Sequence, residues 1–264
     1  MKNLKQILIA ILVLTSIISC KKDEKEPNAT LEKETISAKW VVGGSSGYKS
    51  FEFNKSGNYI VVKSTTIKST NDEIVLFGTY EIIDNTTIEL SDFGTLKISE
   101  INENSISFSF KLTSNPDNEI IIIATKQEEI QNSTKTELLC RTWKMVTVND
   151  SSVAGTDMEL TVLFSKAGTY FVSIANPDDE NDGGLANWKW KDENETKLLY
   201  SWDEIPVWNE ADSVEIPELT STKLKIIENE VTYVLKPVSN TKSAIIKTSK
   251  SLLNRIMKSG FFKK

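Results

Sequence analysis

Three sequence elements recur in the same order in the two halves of the chain, and this repetition constrains the fold more than any other feature. The elements are a tryptophan, a Phe-x-x-x-Gly-x-Tyr segment and a Leu-Lys-Ile triplet. They begin at Trp40, Phe53 and Leu96 in the first half and at Trp143, Phe164 and Leu224 in the second half. Such repetition predicts a duplicated structural unit, and we expect one copy over 37–126 and another over 138–239.

Apolar and polar residues alternate within each copy, most clearly at 51–53, 106–110 and 188–190. A period of two is typical of strands that bury one face, and turn residues separate these stretches about every 8–12 residues. The glycine of each Phe-x-x-x-Gly-x-Tyr segment lies where a tight hairpin requires a positive φ angle. About eight short strands fit each copy, which predicts an all-β fold of two small, closed antiparallel barrels in tandem.

The tryptophan of the first strand, the Phe-x-x-x-Gly-x-Tyr hairpin and the Gly-x-Tyr strand start at 78–80 resemble the lipocalin-like (calycin-type) domains of secreted bacterial lipoproteins. The resemblance implies two lipocalin-like barrels. It also implies a short helix before the first strand of the second barrel and a helix after its last strand. An open barrel would hold a small hydrophobic ligand, whereas a barrel filled by residues such as Trp40 and Trp143 would be structural.

The N-terminus has the pattern of a lipoprotein signal peptide over 1–19, with Lys2 and Lys5 before an apolar run at 7–18. The following Ile-Ile-Ser-Cys sequence resembles a bacterial lipobox. This resemblance implies that Cys20 carries the lipid anchor and that the membrane is a partner of the protein. Residues 20–36 then form a charged tether. Its Lys-Lys-Asp-Glu start resembles the export tag of surface lipoproteins, which favours an outer-membrane location on the cell surface.

Two further segments lie outside the predicted barrels. Residues 127–137 are a polar linker ending in a helical turn, and we expect the nearby Cys140 to be a buried thiol without a disulfide partner. Residues 240–264 predict a basic amphipathic C-terminal helix, because apolar and basic side chains fall on opposite faces at 100° per residue. Such a helix would dock on the acidic body of the protein or lie on an anionic lipid surface.

Composition excludes several function classes. The chain has no histidine, so a Ser-His-Asp triad and a histidine-containing zinc site are excluded. Residues 20–241 carry 22 basic and 37 acidic side chains, a net charge of −15, which argues against nucleic acid as a partner. A calcium-like acidic loop at 176–184 has Lys189 where the twelfth ligand should be glutamate. We therefore expect no metal, no cofactor and no enzymatic activity.

The second copy is longer than the first, and this insertion provides the candidate binding site. From the phenylalanine to the Leu-Lys-Ile triplet the first copy spans 43 residues and the second spans 60, with most of the difference at 201–218. Aromatic rings beside polar groups are typical of binding surfaces. The candidate ligand-binding residues are Trp202, Asp203, Glu204, Trp208, Asn209 and Glu210. The alternative is that Trp202 and Trp208 plug one end of the barrel.

These observations predict a lipid-anchored outer-membrane lipoprotein that acts as a non-enzymatic binding or structural module. The insertion of the second barrel would be the contact surface, and the possible partners are a glycan, a small hydrophobic ligand and a protein. One alternative is a carrier with an open barrel that holds a small hydrophobic ligand. The other is a glycan-binding accessory of a polysaccharide-uptake system, in which the tryptophans stack on sugar rings. Acidic pairs such as Glu204 and Glu210 have the groups that a glycosidase needs, but loop carboxylates are more commonly solvated.

Overall fold

The computed structural model describes residues 31–64, 73–156, 158–174, 182–210, 213–238 and 244–248. The predicted signal peptide, the predicted lipidation site Cys20 and the calcium-like part of 176–184 up to residue 181 lie outside these ranges. No helix within the described ranges is long and apolar enough to cross a membrane.

The first barrel follows a short helix, α1 (Lys33–Ile36), and consists of eight antiparallel strands. The strands are β1 (Lys39–Val42), β2 (Tyr48–Phe53), β3 (Asn58–Ser64), β4 (Glu73–Ile82), β5 (Thr87–Leu90), β6 (Gly94–Ile101), β7 (Ser105–Leu112) and β8 (Asn115–Lys126). Each strand pairs with the next, and β1 pairs with β8, so the sheet closes on itself. Closure leaves the barrel without an unpaired edge along most of its circumference.

The second barrel follows the helix α2 (Thr134–Leu139) and has the same meander. Its strands are β9 (Thr142–Val148), β11 (Leu160–Phe164), β12 (Thr169–Ile174), β13 (Asp182–Trp190), β14 (Lys197–Ser201), β15 (Ser213–Leu219), β16 (Leu224–Glu228) and β17 (Val231–Pro237), and a two-residue strand, β10 (Ser151–Ser152), folds back on β9. Pairing of β17 with β9 closes it. The prediction of two closed antiparallel barrels is confirmed, and together they fit a lipocalin-like fold.

Each short helix supports the tryptophan of its barrel in the same way. The indole Nε1 of Trp40 donates a hydrogen bond to the carbonyl oxygen of Ile36 (3.0 Å), and that of Trp143 donates to the carbonyl oxygen of Leu139 (2.9 Å). Both rings are buried. The predicted charged tether over 20–36 is too long, because Leu31 and Ile36 are buried in the core of the first barrel.

Bulky side chains occupy the inward positions of both barrels. In the first barrel the buried rings are Trp40, Tyr48, Phe51, Phe53, Tyr59, Tyr80, Phe93, Phe108 and Phe110. In the second they are Trp143, Phe164, Tyr170, Trp188, Tyr200 and Tyr233. Trp190 is half-buried against the same core, and its Nε1 donates to Thr136 Oγ1 (2.9 Å). As far as the described strands show, side chains therefore fill the interiors of both barrels, as is common in small barrels.

The two Leu-Lys-Ile triplets do not occupy equivalent strands, so this part of the repeat prediction is wrong. Leu96 lies on β6, the sixth strand of its barrel, whereas Leu224 lies on β16, the seventh. The insertion is consequently smaller than the triplets suggested. The connection between the fifth and sixth strands covers 91–93 in the first barrel and 202–212 in the second, so it is longer by eight residues.

The predicted C-terminal helix is also wrong where the structure describes the tail. Residues Ala244–Thr248 form a strand, β18, antiparallel to β4, with Ala244 opposite Phe77 and Thr248 opposite Glu73. The cause is an open edge, because β5 pairs with β4 only at 80–82. Unpaired backbone groups along 73–77 favour an added strand, and adjacent β-branched isoleucines suit one. Residues 240–243 and 249–264 of the predicted helix lie outside the described ranges.

Candidate functional site

The insertion of the second barrel begins with a tryptophan that packs into the barrel rather than facing solvent. Trp202 is half-buried against the core of the barrel. Its ring meets that of Tyr170 edge to face, with centroids 6.0 Å apart and an interplanar angle of 82°. Contacts of this kind stabilise aromatic pairs by about 0.5–1.5 kcal/mol beyond burial. Trp202 therefore fixes the start of the insertion.

The remainder of the described insertion, 203–210, is held along the outer side of β13. Asn187 Nδ2 donates to the backbone oxygen of Asp203 (3.0 Å), and Lys191 Nζ forms an ion pair with Glu210 Oε2 (2.6 Å). Between them, Lys189 Nζ lies 4.6 Å from the ring centroid of Trp208, a cation–π contact. Two side chains of β13, Asn187 and Lys189, and Lys191 directly after its end thus hold the insertion against the barrel wall.

The tip of the insertion, 205–207, exposes apolar side chains. Ile205 is 82% exposed and Val207 is 66% exposed. Among the large apolar residues that the structure describes, Ile205 has the largest exposed fraction. The backbone N–H of Val207 donates to Ser201 Oγ (3.1 Å), which ties the tip to the end of β14. Ile205 and Val207 thus form a small exposed apolar surface on a loop that is held in place.

The six sequence-predicted site residues lie in one segment but in different environments. Asp203, Glu204, Asn209 and Glu210 are exposed, whereas Trp202 and Trp208 are half-buried. One ring packs on Tyr170 and the other carries Lys189, so neither is presented as a flat, unoccupied platform for a sugar. Sequence reasoning missed Ile205 and Val207, although the Ile-Pro-Val run between acidic residues was a visible signal.

The insertion also reaches the first barrel. Lys49 Nζ on β2 forms an ion pair with Glu204 Oε1 (2.7 Å), across 155 residues of sequence. The two side chains are 38% and 76% exposed, and an ion pair this exposed contributes about 0–1 kcal/mol. This ion pair therefore contributes little to the stability of the fold.

The joint between the barrels has an apolar half formed by outward side chains. Its buried members are Ile60, Val62, Val75 and Phe77 from the first barrel and Leu163 and Phe171 from the second, with Leu185 half-buried against them. The rings of Phe77 and Phe171 stack with centroids 4.6 Å apart and an interplanar angle of 29°. Burial of these outward positions joins the two barrels into one compact unit.

The polar half of the joint contains a buried carboxylate. Glu52 is 3% exposed, and its Oε2 accepts a hydrogen bond from Thr169 Oγ1 (2.8 Å). Lys39 Nζ donates to the same threonine hydroxyl (3.4 Å). Glu52 Oε1 has no hydrogen-bond partner among the described residues. The alternating pattern of β2 predicted an outward, solvated side chain here, and only the second barrel buries it.

The joint pairs equivalent surfaces of the two copies. Lys39 precedes Trp40 of the first barrel and donates a hydrogen bond to Thr169, which precedes Tyr170 of the second. In the equivalent contact, Thr142 precedes Trp143 of the second barrel and donates to Oδ1 of Asn58, which precedes Tyr59 of the first (3.0 Å). The apolar half shows the same relation. The equivalent pairs there are Ile60 with Phe171 and Phe77 with Leu185, as the strand registers define them. The interface is therefore approximately two-fold symmetric.

A second buried carboxylate lies inside the second barrel. Tyr200 Oη donates to Glu228 Oε1 (3.0 Å), and Glu228 is 5% exposed. Burial raises the pKa of Tyr233 to about 12, with a smaller contribution from the charge of Glu228. Glu228 is therefore part of the packed interior of the barrel, where the hydroxyl of Tyr200 compensates for its burial.

Cys140 packs against the core of the second barrel, and burial raises the pKa of its thiol. A thiol with a raised pKa is a poor nucleophile, in agreement with its predicted role. Within the described ranges, no cluster of three or more cysteine, aspartate or glutamate side chains could hold a metal ion.

No protein-family model matches the chain, and no curated protein is significantly similar to it in sequence. The function of the chain is therefore inferred from the geometry of the insertion and the joint.

Proposed function

We propose that this protein is a lipid-anchored outer-membrane lipoprotein and a non-enzymatic binding module, whose insertion at 202–210 contacts a protein partner. One observation carries the proposal. Ile205 and Val207 are exposed at the tip of a loop that Asn187, Lys189 and Lys191 hold in place. A held apolar tip loses little conformational entropy on binding, which favours association.

The chemistry of the tip favours a protein over the two alternative ligands. A glycan site needs accessible ring faces and hydrogen-bonding groups, whereas the tip exposes aliphatic side chains and both tryptophan rings make intramolecular contacts. A carrier of small hydrophobic molecules needs an open cup, whereas bulky buried side chains occupy the described interiors. A partner with an apolar pocket fits the tip best.

The contact surface is tested by site-specific photo-crosslinking in intact cells. A photoreactive amino acid at Ile205 should give a discrete crosslinked protein band. The same group at Ile83, which is 54% exposed on the first barrel, is the matched control and should give none. A band at Ile83 as strong as at Ile205, or no band at Ile205, would contradict the proposed surface.

The anchor is tested separately through Cys20. The lipobox resemblance requires that clickable palmitate labels the wild-type chain and that Cys20→Ser abolishes the label and leaves the signal peptide uncleaved. Labelling of the Cys20→Ser variant at the wild-type level would refute lipid attachment at this residue. Protease accessibility on intact cells then distinguishes the cell surface from the periplasmic face of the outer membrane.

A further inference from the structure

We infer that the groove between β4 and β13 is a binding site for an extended, basic polypeptide strand, and that β18 is its occupant within the chain. We define this inter-barrel groove by the edges of β4 at 73–77 and of β13 at 182–186. This groove is a second surface, separate from the insertion tip, and strand binding there does not depend on the proposed function.

Both walls of the groove are open strand edges. On β4, residues 73–77 pair with β3 on one side, and β5 covers only 80–82 on the other. On β13, residues 182–186 pair with β12, and β14 begins its pairing at Asn187. The two barrels thus present equivalent edges to one another beside their symmetric joint. Open edges bind added strands through backbone hydrogen bonds, largely independently of sequence.

The strand β18 fills this groove without being part of either barrel. It forms a five-residue antiparallel ladder with β4, from the Ala244–Phe77 pair to the Thr248–Glu73 pair, and it also lies against β13. The first barrel has the pairings of β1 with β8 and of β4 with β5, and the second is closed by the pairing of β9 with β17. Removal of β18 would therefore leave both barrels closed, and a strand that no barrel requires can be exchanged for another.

Charge defines the class of strand that fits. Residues 20–241, which include both barrels, carry a net charge of −15. The segment 241–250, which contains β18, has three lysines and no acidic residue. A competing partner strand should accordingly be extended, apolar at its centre and positively charged.

The test uses the full-length chain in detergent with a protease site inserted within 239–243, cut after folding. A fluorescent peptide of residues 241–250 should bind the cut chain, measured by fluorescence anisotropy, as it replaces the severed segment. The uncut chain should bind the peptide more weakly by about tenfold or more, because the tethered segment competes at a millimolar effective concentration. Near-ultraviolet circular dichroism before and after cutting confirms that the barrels remain folded.

Two control peptides define the mode of binding. The Ile246→Pro peptide removes a backbone N–H from the centre of the ladder and should not bind. A peptide with glutamine at 242, 247 and 250 should bind several-fold more weakly. Equal affinity of the cut and uncut chains, absence of binding to the cut chain, or unaltered binding of the proline peptide would each overturn the strand site. Unaltered binding of the glutamine peptide would overturn the requirement for positive charge.

Discussion

At the residue scale, Trp40 and Trp143 show how one side chain organises each copy. Each ring is buried in its barrel, and each indole N–H satisfies a carbonyl at the end of the preceding short helix. The contact therefore joins three things at once: the helix, the first strand and the aromatic core. Neither helix is long enough to be stable alone, so it depends on this tertiary contact.

We predict that Trp143→Ala lowers the free energy of unfolding by about 3–5 kcal/mol, the usual range for a large aromatic residue removed from a core. Trp143→Phe should lose less, because it keeps one aromatic ring in the core, although it removes the hydrogen bond to Leu139 and part of the buried volume. Chemical denaturation of the full-length chain measures both. Trp208→Ala is the surface control and should have an effect below about 1 kcal/mol, since its ring lies outside the barrel.

Trp202 should behave differently from Trp208, although both lie in the insertion. Its ring packs on Tyr170 and against the core, so Trp202→Ala should be measurably destabilising. Sequence reasoning treated the two tryptophans as a pair because they share a segment. The direction of a loop side chain depends on tertiary contacts that no local period encodes.

Buried tyrosines make the stability of the chain sensitive to alkaline pH. Burial raises the pKa of Tyr80 to about 12, and its hydroxyl donates to the carbonyl oxygen of Asn54 (2.9 Å). In the unfolded chain the pKa is about 10, so stability falls as pH rises from 10 towards 12. Between pH 9 and pH 11, Tyr80→Phe should lose about 1 kcal/mol less unfolding free energy than the wild type. Identical losses in the two proteins would argue against a buried, neutral phenol.

At the scale of elements, the two hairpin turns have the same glycine for the same reason. Gly57 has a φ angle of +86° and Gly168 one of +77°, in the left-handed region that other residues rarely adopt. The recurrence of this glycine was the strongest local signal in the sequence. It fixes the turn between the second and third strands of each barrel, and thereby the register that sends Phe53 and Phe164 inward.

We predict that Gly168→Ala destabilises the chain more than Gly44→Ala. Both have positive φ angles, which cost alanine about 1–2 kcal/mol. A Cβ at Gly168 would also lie 3.1 Å from the backbone oxygen of Trp188, whereas a Cβ at Gly44 meets nothing within 4 Å. Urea midpoints of the two variants give the comparison. Equal midpoints would show that the contact with Trp188 relaxes without cost.

Strand content and barrel closure were predictable because alternation and turn residues are local. The position of the Leu-Lys-Ile triplets was not, because a short triplet on a different strand matches by chance. The strand at 244–248 was not predictable either. Its residues have a helical period, and only the open edge of β4, distant in sequence, selects the extended conformation. The exposure of the tip at 205–207 was not predictable either, because it depends on which other side chains of the loop contact the barrel wall.

At the scale of the whole molecule, the joint couples barrels that each close independently. A fragment of 31–126 contains α1 and all strands of the first barrel, so we predict a cooperative thermal melt for it. The shorter fragment 37–126 lacks Leu31 and Ile36, which are buried, and the carbonyl that Trp40 bonds. It should be less stable by about 3 kcal/mol or more. Calorimetry of the two fragments measures the difference, and equal melting would exclude α1 from the folding unit.

The approximate two-fold symmetry of the joint bears on the origin of the chain. A self-complementary surface is what two identical single-barrel subunits use to form a homodimer, since each subunit supplies the same patch. Fusion of two such subunits holds them at a high effective concentration, so assembly no longer depends on the amount of protein. After fusion the two halves can also differ in sequence, because one gene half no longer has to encode both sides of the interface. Glu52 faces the joint where the other half has Leu163, and only one half carries the longer loop.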